Sequence, residues 1–374
     1  HFGSSHVAHR LVDEAVRKKV LHMLSRITQS VIHAPQLPCF VGATSARKVA
    51  HVHGSQEVPH SAIERYRRDG FVVFHDFWNK EELQEWRDAV NEAVSERPLE
   101  WKFPRQHQED VTNVDRDYYD RVFIQRINLW STNWKVKHLF MRYGDRVGRI
   151  ACALEGISGI RIWHDQALIK EGWANATSMH ADNPYWSFYS KHACSIWMAL
   201  DDASVMNGAM VMLPGSHRIV GETSDPYRLV HIGKNHGDYF QKHPAGMQLQ
   251  QIEPVSVEMP AGSVSFHNGL TVHGANPNNS PHQRRAMTCA FMPDGATFNG
   301  VPNVYTEEVM QRYRIGDVLN DDELNPLLWS DSHPRPSFPE GLPALRYSGH
   351  YQDPIDQALL SERQKQAAAS LGYV

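Results

Sequence analysis

The sequence has few cysteines, no long apolar run and no strong charge of either sign, and each shortage closes off a class. Four cysteines in 374 residues (Cys39, Cys152, Cys194 and Cys289) stand far apart, with no pair at metal-ligand spacing. Cys152, Cys194 and Cys289 sit in apolar segments, which favours buried free thiols and a reducing compartment over a disulfide framework. No apolar stretch approaches the ~18 residues that span a bilayer, so no transmembrane segment is expected. A net charge of −4 gives no general attraction to nucleic acid or to an anionic membrane. Internal repeats and low-complexity tracts are also missing. What is present, 41% apolar and 21% charged residues, suits a globular chain with a true core. The expected partner is a small molecule, and the expected setting soluble and intracellular.

One shortage is local. No acidic residue lies between Glu14 and Glu57, while Arg17, Lys18, Lys19, Arg26, Arg47 and Lys48 are basic. Acid-poor, Arg- and Ser-containing composition is that of an organelle-targeting segment. Within it, Arg26-Ile27, five residues, then His33-Ala34 resembles an N-terminal peroxisomal signal, with Met23 just before it as a candidate start. The competing reading is an amphipathic helix packed on the domain. Residues 1–58 are taken as an extension, and the address as cytoplasmic or peroxisomal.

From Ser61 the pattern becomes regular. Helices are expected over 62–69, ending at Gly70, and over 80–96, capped by Asn79. A strand over 71–74 separates them. A polar, aromatic loop over 98–120 leads to a strand over 122–130, then to the longest helical run, 135–154. After Gly156 strands take over, at 160–170, 176–182, 193–201, 209–214, 255–258, 263–267, 271–273 and 285–292. Helices followed by some eight short strands point to a mainly β domain with flanking helices, a double-sheet jelly roll over 59–295. Residues 296–374, Pro-rich with helices near 305–313 and 354–371, are expected to wrap the barrel.

Within this frame His180 and Asp182 stand two apart, so on a strand over 176–182 both would share one face. His273 offers a second imidazole, with Arg284 eleven residues beyond. Two His and one carboxylate on one face of an octahedron form the facial triad of non-haem Fe(II) oxygenases. The bare tripeptide says little. His numbers 23, a His-x-Asp is expected by chance roughly once, and a second copy occurs at His236-Gly237-Asp238. That copy lies in a polar, Gly-containing stretch read as a solvated loop, whereas His180 lies among strands.

Three blocks together resemble the phytanoyl-CoA dioxygenase family of Fe(II)/2-oxoglutarate oxygenases. They are His180-Ala181-Asp182-Asn183-Pro184-Tyr185-Trp186, Ser195-Ile196-Trp197-Met198-Ala199-Leu200-Asp201-Asp202 running into Asn207 to His217, and His273-Gly274 to Arg284. The likeness runs from about Tyr66 to Pro293. It implies a double-stranded β-helix with iron on His180, Asp182 and His273, and 2-oxoglutarate and O2 as co-substrates. It further implies Arg284 on the distal carboxylate of 2-oxoglutarate, with Gln125, Gln166, Trp197 and Ala275 at the family's other co-substrate positions. Many members carry Ser where this chain has Ala275, and some carry Lys or Met at the two glutamines.

Lys170, Asn183 and Trp186 are candidate substrate contacts, against the plainer roles of strand end and packing. Pro214 to His217 reads as a turn. His267 reads as a hydrogen-bonded neighbour of the metal ligands rather than a ligand, and Trp130, Trp163 and Trp173 read as core. The expected activity is hydroxylation of a small organic molecule or acyl thioester, releasing succinate and CO2. The alternatives are desaturation, cyclisation or endoperoxide formation at the same iron, or a jelly-roll binding protein without turnover. Residues 23–40 fused to a fluorescent protein are expected to reach peroxisomes, and Arg26→Ala to leave the fusion uniformly cytosolic. Uniform fluorescence from the intact fusion would instead return the segment to a packing role.

Overall fold

Alternation of side chains along strands builds this domain as stacked layers. The computed structural model describes residues 58–96, 121–222, 236–301, 303–305 and 307–337, with the backbone of Ala50–His51. The signal-like stretch 26–34, the loop expected over 98–120 and the helix expected over 354–371 lie outside these residues. Helices α1 (His60–Asp69), α2 (Lys80–Glu96), α3 (Leu129–Thr132) and α4 (Trp134–Glu155) precede or interleave with the first strands.

The larger sheet holds β1 (Ala50–His51), β2 (Phe71–His75), β3 (Ile124–Ile127), β4 (Gly159–Lys170), β6 (Cys194–Ala199), β9 (Val264–Asn268), β11 (Arg284–Pro293) and β12 (Leu327–Ser330). Its order is β1-β2-β9-β6-β11-β4-β12, with β3 pairing on β4. The smaller sheet, β5 (Thr177–His180), β7 (Met210–Met212), β8 (Val255–Val257) and β10 (His273–Ala275), runs β5-β10-β7-β8. All pairings are antiparallel except β1 with β2. This is the jelly roll with flanking helices that the strand pattern predicts.

Strand β6 shows why its sequence is apolar but for Ser195. Ile196 and Met198 face one side and join Tyr66, Trp86, Val90, Phe140 and Val147 of α1, α2 and α4. Trp197 and Ala199 face the other and meet Met210, Met212 and Val257 of the smaller sheet. A strand buried on both faces has no polar side to show. Behind the smaller sheet Met179, Val211 and Val272 pack against Val220, Tyr239 and Leu249 of short helices. After residue 296, Phe298, Val304, Tyr305 and Leu319 pack on Trp163, Trp186 and Phe188, and β12 joins the edge of the larger sheet at β4.

Local chemistry explains the helix limits. Asn79 accepts from the Glu82 amide at 2.9 Å while Glu82 accepts from the Asn79 amide at 3.1 Å, a reciprocal capping box for α2. Several expectations shift. The strand expected over 122–130 stops at Ile127, because the buried Asp165 carboxylate takes the amides of Leu129 and Trp130 and starts α3 there. The turn expected over 214–217 continues into a helix, Ser216–Gly221. His236 opens another, His236–Lys242, rather than lying in a loop. The strand expected over 271–273 forms instead over His273–Ala275. Trp173, expected in the core, is 69% exposed and held at φ 65°, whereas Trp130 and Trp163 are buried.

Gly70, the C-terminal cap of α1 at φ 82°, docks the turn that leads to His273. Its carbonyl accepts from the Asn268 amide (2.8 Å) and the Thr271 hydroxyl (2.9 Å). A Cβ there would stand 2.5 Å from both Thr271 Oγ1 and His217 Nδ1. Gly295 shares the left-handed backbone, at φ 93°, but a Cβ would meet nothing within 4 Å. Gly295→Ala is therefore expected to cost ~1–2 kcal/mol from backbone conformation alone, and Gly70→Ala distinctly more. Chemical denaturation of both variants checks this; equal losses would remove the steric contribution.

Candidate active site

The two histidines reach one another through strand register. His273 on β10 is the direct cross-strand partner of His180 on β5, and their ring centroids lie 4.4 Å apart. Asp182 arrives differently from the expected alternation. Strand β5 ends at His180, and Asp182, at φ −77° and ψ −49°, opens a single 3-10 turn, Asn183–Tyr185. Pro184 has no N–H to continue a ladder, and the Asn183 amide bonds instead to the Gly269 carbonyl at 2.8 Å. The turn folds the carboxylate back under the rings. Asp182 Oδ1 lies 3.4 Å from His180 Nε2 and 3.8 Å from His273 Nε2.

Tautomers are set by the backbone. His180 Nδ1 lies 2.8 Å from the Ser178 carbonyl and His273 Nδ1 lies 2.9 Å from the Thr271 carbonyl. A carbonyl only accepts, so each Nδ1 carries the proton and each Nε2 presents a lone pair inward. Burial pushes His273 down to about 3, helped by His180 and His267 and opposed by Asp182. Burial alone would raise the Asp182 carboxyl, but the surrounding imidazoles of His273, His180 and His267 outweigh it and hold it well below the usual carboxylate range. A neutral imidazole and an ionised carboxylate are the forms that bind a divalent cation. The three donor atoms all lie within 4.8 Å of one another, and the donor set of two imidazoles and one carboxylate fits iron with coordination positions left open.

Arg284, the first residue of β11, occupies the same interior. It is 3% exposed, its Nη2 donates to the Gly208 carbonyl at 3.1 Å, and its guanidinium lies 5.2 Å from the Trp197 ring centroid. Its Nε and Nη1 have no partner among the described residues. Burial lowers it to about 10, with Asp201 opposing. A buried guanidinium with two free N–H edges is prepared for a carboxylate. Lys170 is its register partner on β4. The ammonium of Lys170 is fully buried and donates to the carbonyls of Val122 (3.1 Å) and Asn175 (2.6 Å). It thereby ties the segments entering β3 and β5 to β4. Gly208, at φ 95°, lies between the two cations: a Cβ there would come within 2.4 Å of Lys170 Cδ.

The other sequence candidates separate into two groups. Gln125 on β3 donates to Gln166 on β4, whose Nε2 lies 3.5 Å from His164 Nδ1. His164 is buried, lowered to about 4 by burial against the opposing charge of Asp182, and edge-on to Trp186. Trp197 lines the interior, and the buried Ala275 sits two residues past His273 on β10. Asn183 turns instead into its own loop, accepting from the Ser190 amide (3.1 Å) and donating to the Phe188 carbonyl (3.4 Å). Trp186 stacks on Phe188 at 5.5 Å. His164 and Gly208 were not singled out from the sequence. Strand alternation from Gln166 reaches His164, but nothing in the sequence marks Gly208 as the spacer between two cations.

Asp182→Ala is expected to lose most bound iron, since it removes the charge that balances the cation. His236→Ala, in the other His-x-Asp, is expected to keep the parent's stoichiometry. Metal analysis after anaerobic reconstitution decides, and the reverse outcome would place the site elsewhere.

The sequence profile of the phytanoyl-CoA dioxygenase (PhyH) family matches residues 66–286. The chain is similar to the phytanoyl-CoA dioxygenase domain-containing protein 1 homolog of Caenorhabditis elegans, 24% identical over 69% of this chain and 98% of that one. It is also similar to the ectoine dioxygenase of Bordetella parapertussis, 26% identical over 63% of this chain and 76% of the relative. Among solved structures, the non-heme alpha-ketoglutarate-dependent carbocyclase SnoK from nogalamycin biosynthesis superposes with a TM-score of 0.58 at 23% identity, covering 74% of this chain and 99% of that one. The epimerase SnoN from the same pathway gives 0.53 at 22% identity, covering 72% and 98%. These two likenesses speak to the fold. With the family profile spanning more than half of its length, the chain belongs to the phytanoyl-CoA dioxygenase family and is a dioxygenase.

Proposed function

We propose that this dioxygenase hydroxylates a C–H bond of a small organic molecule or acyl thioester, using Fe(II), 2-oxoglutarate and O2. In the balanced reaction one oxygen atom of O2 enters the product hydroxyl and the other enters succinate. Loss of CO2 from the 2-oxo acid supplies two electrons and the substrate C–H supplies the other two. The observation that supports this reading best is the pairing of the His180–Asp182–His273 triad with the buried guanidinium of Arg284, whose Nε and Nη1 have no partner among the described residues.

Iron, when bound, supplies the centre at which O2 is reduced. The protein's own residues do the rest. His180 and His273 present neutral Nε2 donors, and Asp182 balances charge. Arg284 holds the far carboxylate of the co-substrate, and Gly208 holds Arg284 in place. Trp197, Ala199, Ala286, Met210 and Met212 form a dry wall between the sheets, which excludes water and strengthens every charge interaction there. His164 and Gln166 line the same inward face of β4 and give the substrate neutral hydrogen-bonding partners.

Succinate formation across branched acyl-CoAs, betaines, amino acids and terpenoid or polyketide alcohols, with and without iron, tests the reading. Iron-independent succinate, or none with any member, would sink it. Arg284→Gln is expected to raise the apparent constant for 2-oxoglutarate at least about tenfold, since a charge-assisted pair is worth roughly 1.5–3 kcal/mol, while iron binding survives. Arg285 points to the outer side and donates from Nε and Nη2 to the two carboxylate oxygens of Asp201, at 2.8 and 2.7 Å. Arg285→Gln is therefore expected to lower stability and leave the 2-oxoglutarate constant unchanged.

A further inference from the structure

A third imidazole crowds the same carboxylate. His267, on β9 of the larger sheet, faces across to the ligands of the smaller one. Its Nε2 lies 3.7 Å from Asp182 Oδ2, the oxygen turned away from His180 and His273, and its ring centroid lies 4.9 Å from that of His273. His267 is 2% exposed, and its Nδ1 is buried with no partner among the described residues.

The orphaned nitrogen identifies the tautomer. A proton on Nδ1 would be a buried donor with nothing to donate to, a costly arrangement. A proton on Nε2 has an ionised acceptor, Asp182 Oδ2, within ion-pair reach. The second form leaves only an unused lone pair. His267 is thus the mirror of its two neighbours. His180 and His273 donate from Nδ1 to backbone carbonyls and offer lone pairs at Nε2. His267 offers an N–H at Nε2 and has no lone pair there to give a metal.

We propose that His267 is a positioning residue that restricts Asp182 to one-oxygen coordination, keeping three metal positions open for co-substrate and O2. This rests on the functional reading given above. A carboxylate can bind a metal through one oxygen or two. If Asp182 used both, the triad would occupy four positions and leave two. A 2-oxo acid chelates through two, so O2 would have none. An N–H held against Oδ2 engages that oxygen's lone pair and denies it to the metal. The fold is suited to this: β9 is pinned on both sides by β2 and β6, and Phe266 on the opposite face is fixed in the helix-covered core.

The test uses Co(II), 2-oxoglutarate and azide as probes, with no substrate needed. His267→Phe keeps the ring packing and removes the N–H; His267→Leu removes both, and His267→Gln restores a donor. Cobalt stoichiometry and its visible absorption are followed, 2-oxoglutarate is added to saturation, and azide is then titrated into the third position. His267→Phe and His267→Leu are expected to hold full cobalt with a changed spectrum and to bind 2-oxoglutarate, for which two positions suffice, but to bind azide roughly tenfold more weakly, the size of effect typical for partners of metal ligands. His267→Gln is expected to recover most of the azide affinity. Parent-like azide affinity in His267→Phe loaded with cobalt and 2-oxoglutarate would overturn the proposal. So would a parent that takes up no azide once loaded with both, since no third position would then be open, and so would loss of cobalt from folded His267→Phe, which would make His267 a ligand. A parent protein that binds neither cobalt nor 2-oxoglutarate would instead overturn the functional reading. Should His267→Leu fail to fold by near-ultraviolet circular dichroism, His267→Phe and His267→Gln still decide between these outcomes.

Discussion

A carboxylate set between two sheets, with only a quarter of its side chain exposed, has to be compensated, and much of this domain serves that requirement at Asp182. An isolated buried charge is prohibitively costly. Here three imidazoles surround it, two from the smaller sheet and one from the larger. Their placement follows from backbone constraints rather than from flexible side chains. Register sets His180 against His273, and Pro184 turns the chain after Asp182. The amide of Asn183 then locks that turn to the Gly269 carbonyl. Loss of any one constraint would leave charge and lone pairs facing a dry interior without partners.

The layers around the site make those constraints rigid. Helices α1, α2 and α4 cover the outer face of the larger sheet through Tyr66, Trp86, Phe140 and Val147. Its inner face is thereby free to present functional groups at period two: His267 from β9, Trp197 from β6, Arg284 from β11, and His164 and Gln166 from β4. Groups mounted on strands buried on both sides hold tighter geometry than groups on loops. Gly70 adds a direct link, since its carbonyl anchors the turn that delivers His273 to the cap of α1.

Much of this was readable in the residues. Helices with strong periodicity, such as Lys80–Glu96 and Trp134–Glu155, came out within a residue or two, because the 3.6 repeat and the caps are local signals. That His180, Asp182 and His273 would come together was readable because they sit in distinctive neighbourhoods. How Asp182 reaches them was not, since the break after His180 depends on a bond to Gly269, nearly ninety residues away. The same limit applies at Asp165, whose carboxylate converts the end of an expected strand into α3. Trp173 misled for the opposite reason. Its bulk suggests core, yet its amide bonds to the Ser280 carbonyl and its backbone is held at φ 65°, which leaves the ring outside.

The far end of the interior presents the converse of the Asp182 problem. Arg284 and Lys170 are paired in register and both buried, with Gly208 between them. Asp201 acts on Arg284 only at a distance, its oxygens being engaged by Arg285. Burial, and then Arg284, push the Lys170 ammonium well below its ordinary value. Lys170 finds relief in two backbone carbonyls, and this gives it a structural use. Among the described residues Arg284 finds only one, at Gly208, and keeps its Nε and Nη1 unmatched. A fold selected for stability alone would not keep a half-satisfied guanidinium in its core, because replacing it with an apolar side chain of similar volume is often neutral or favourable. Its retention follows if an anion completes the pairing during function. The two ends of the interior then have opposite needs, a cation beside Asp182 and an anion beside Arg284. One dicarboxylate that chelates the metal through its oxo acid end and reaches the guanidinium with the other satisfies both at once.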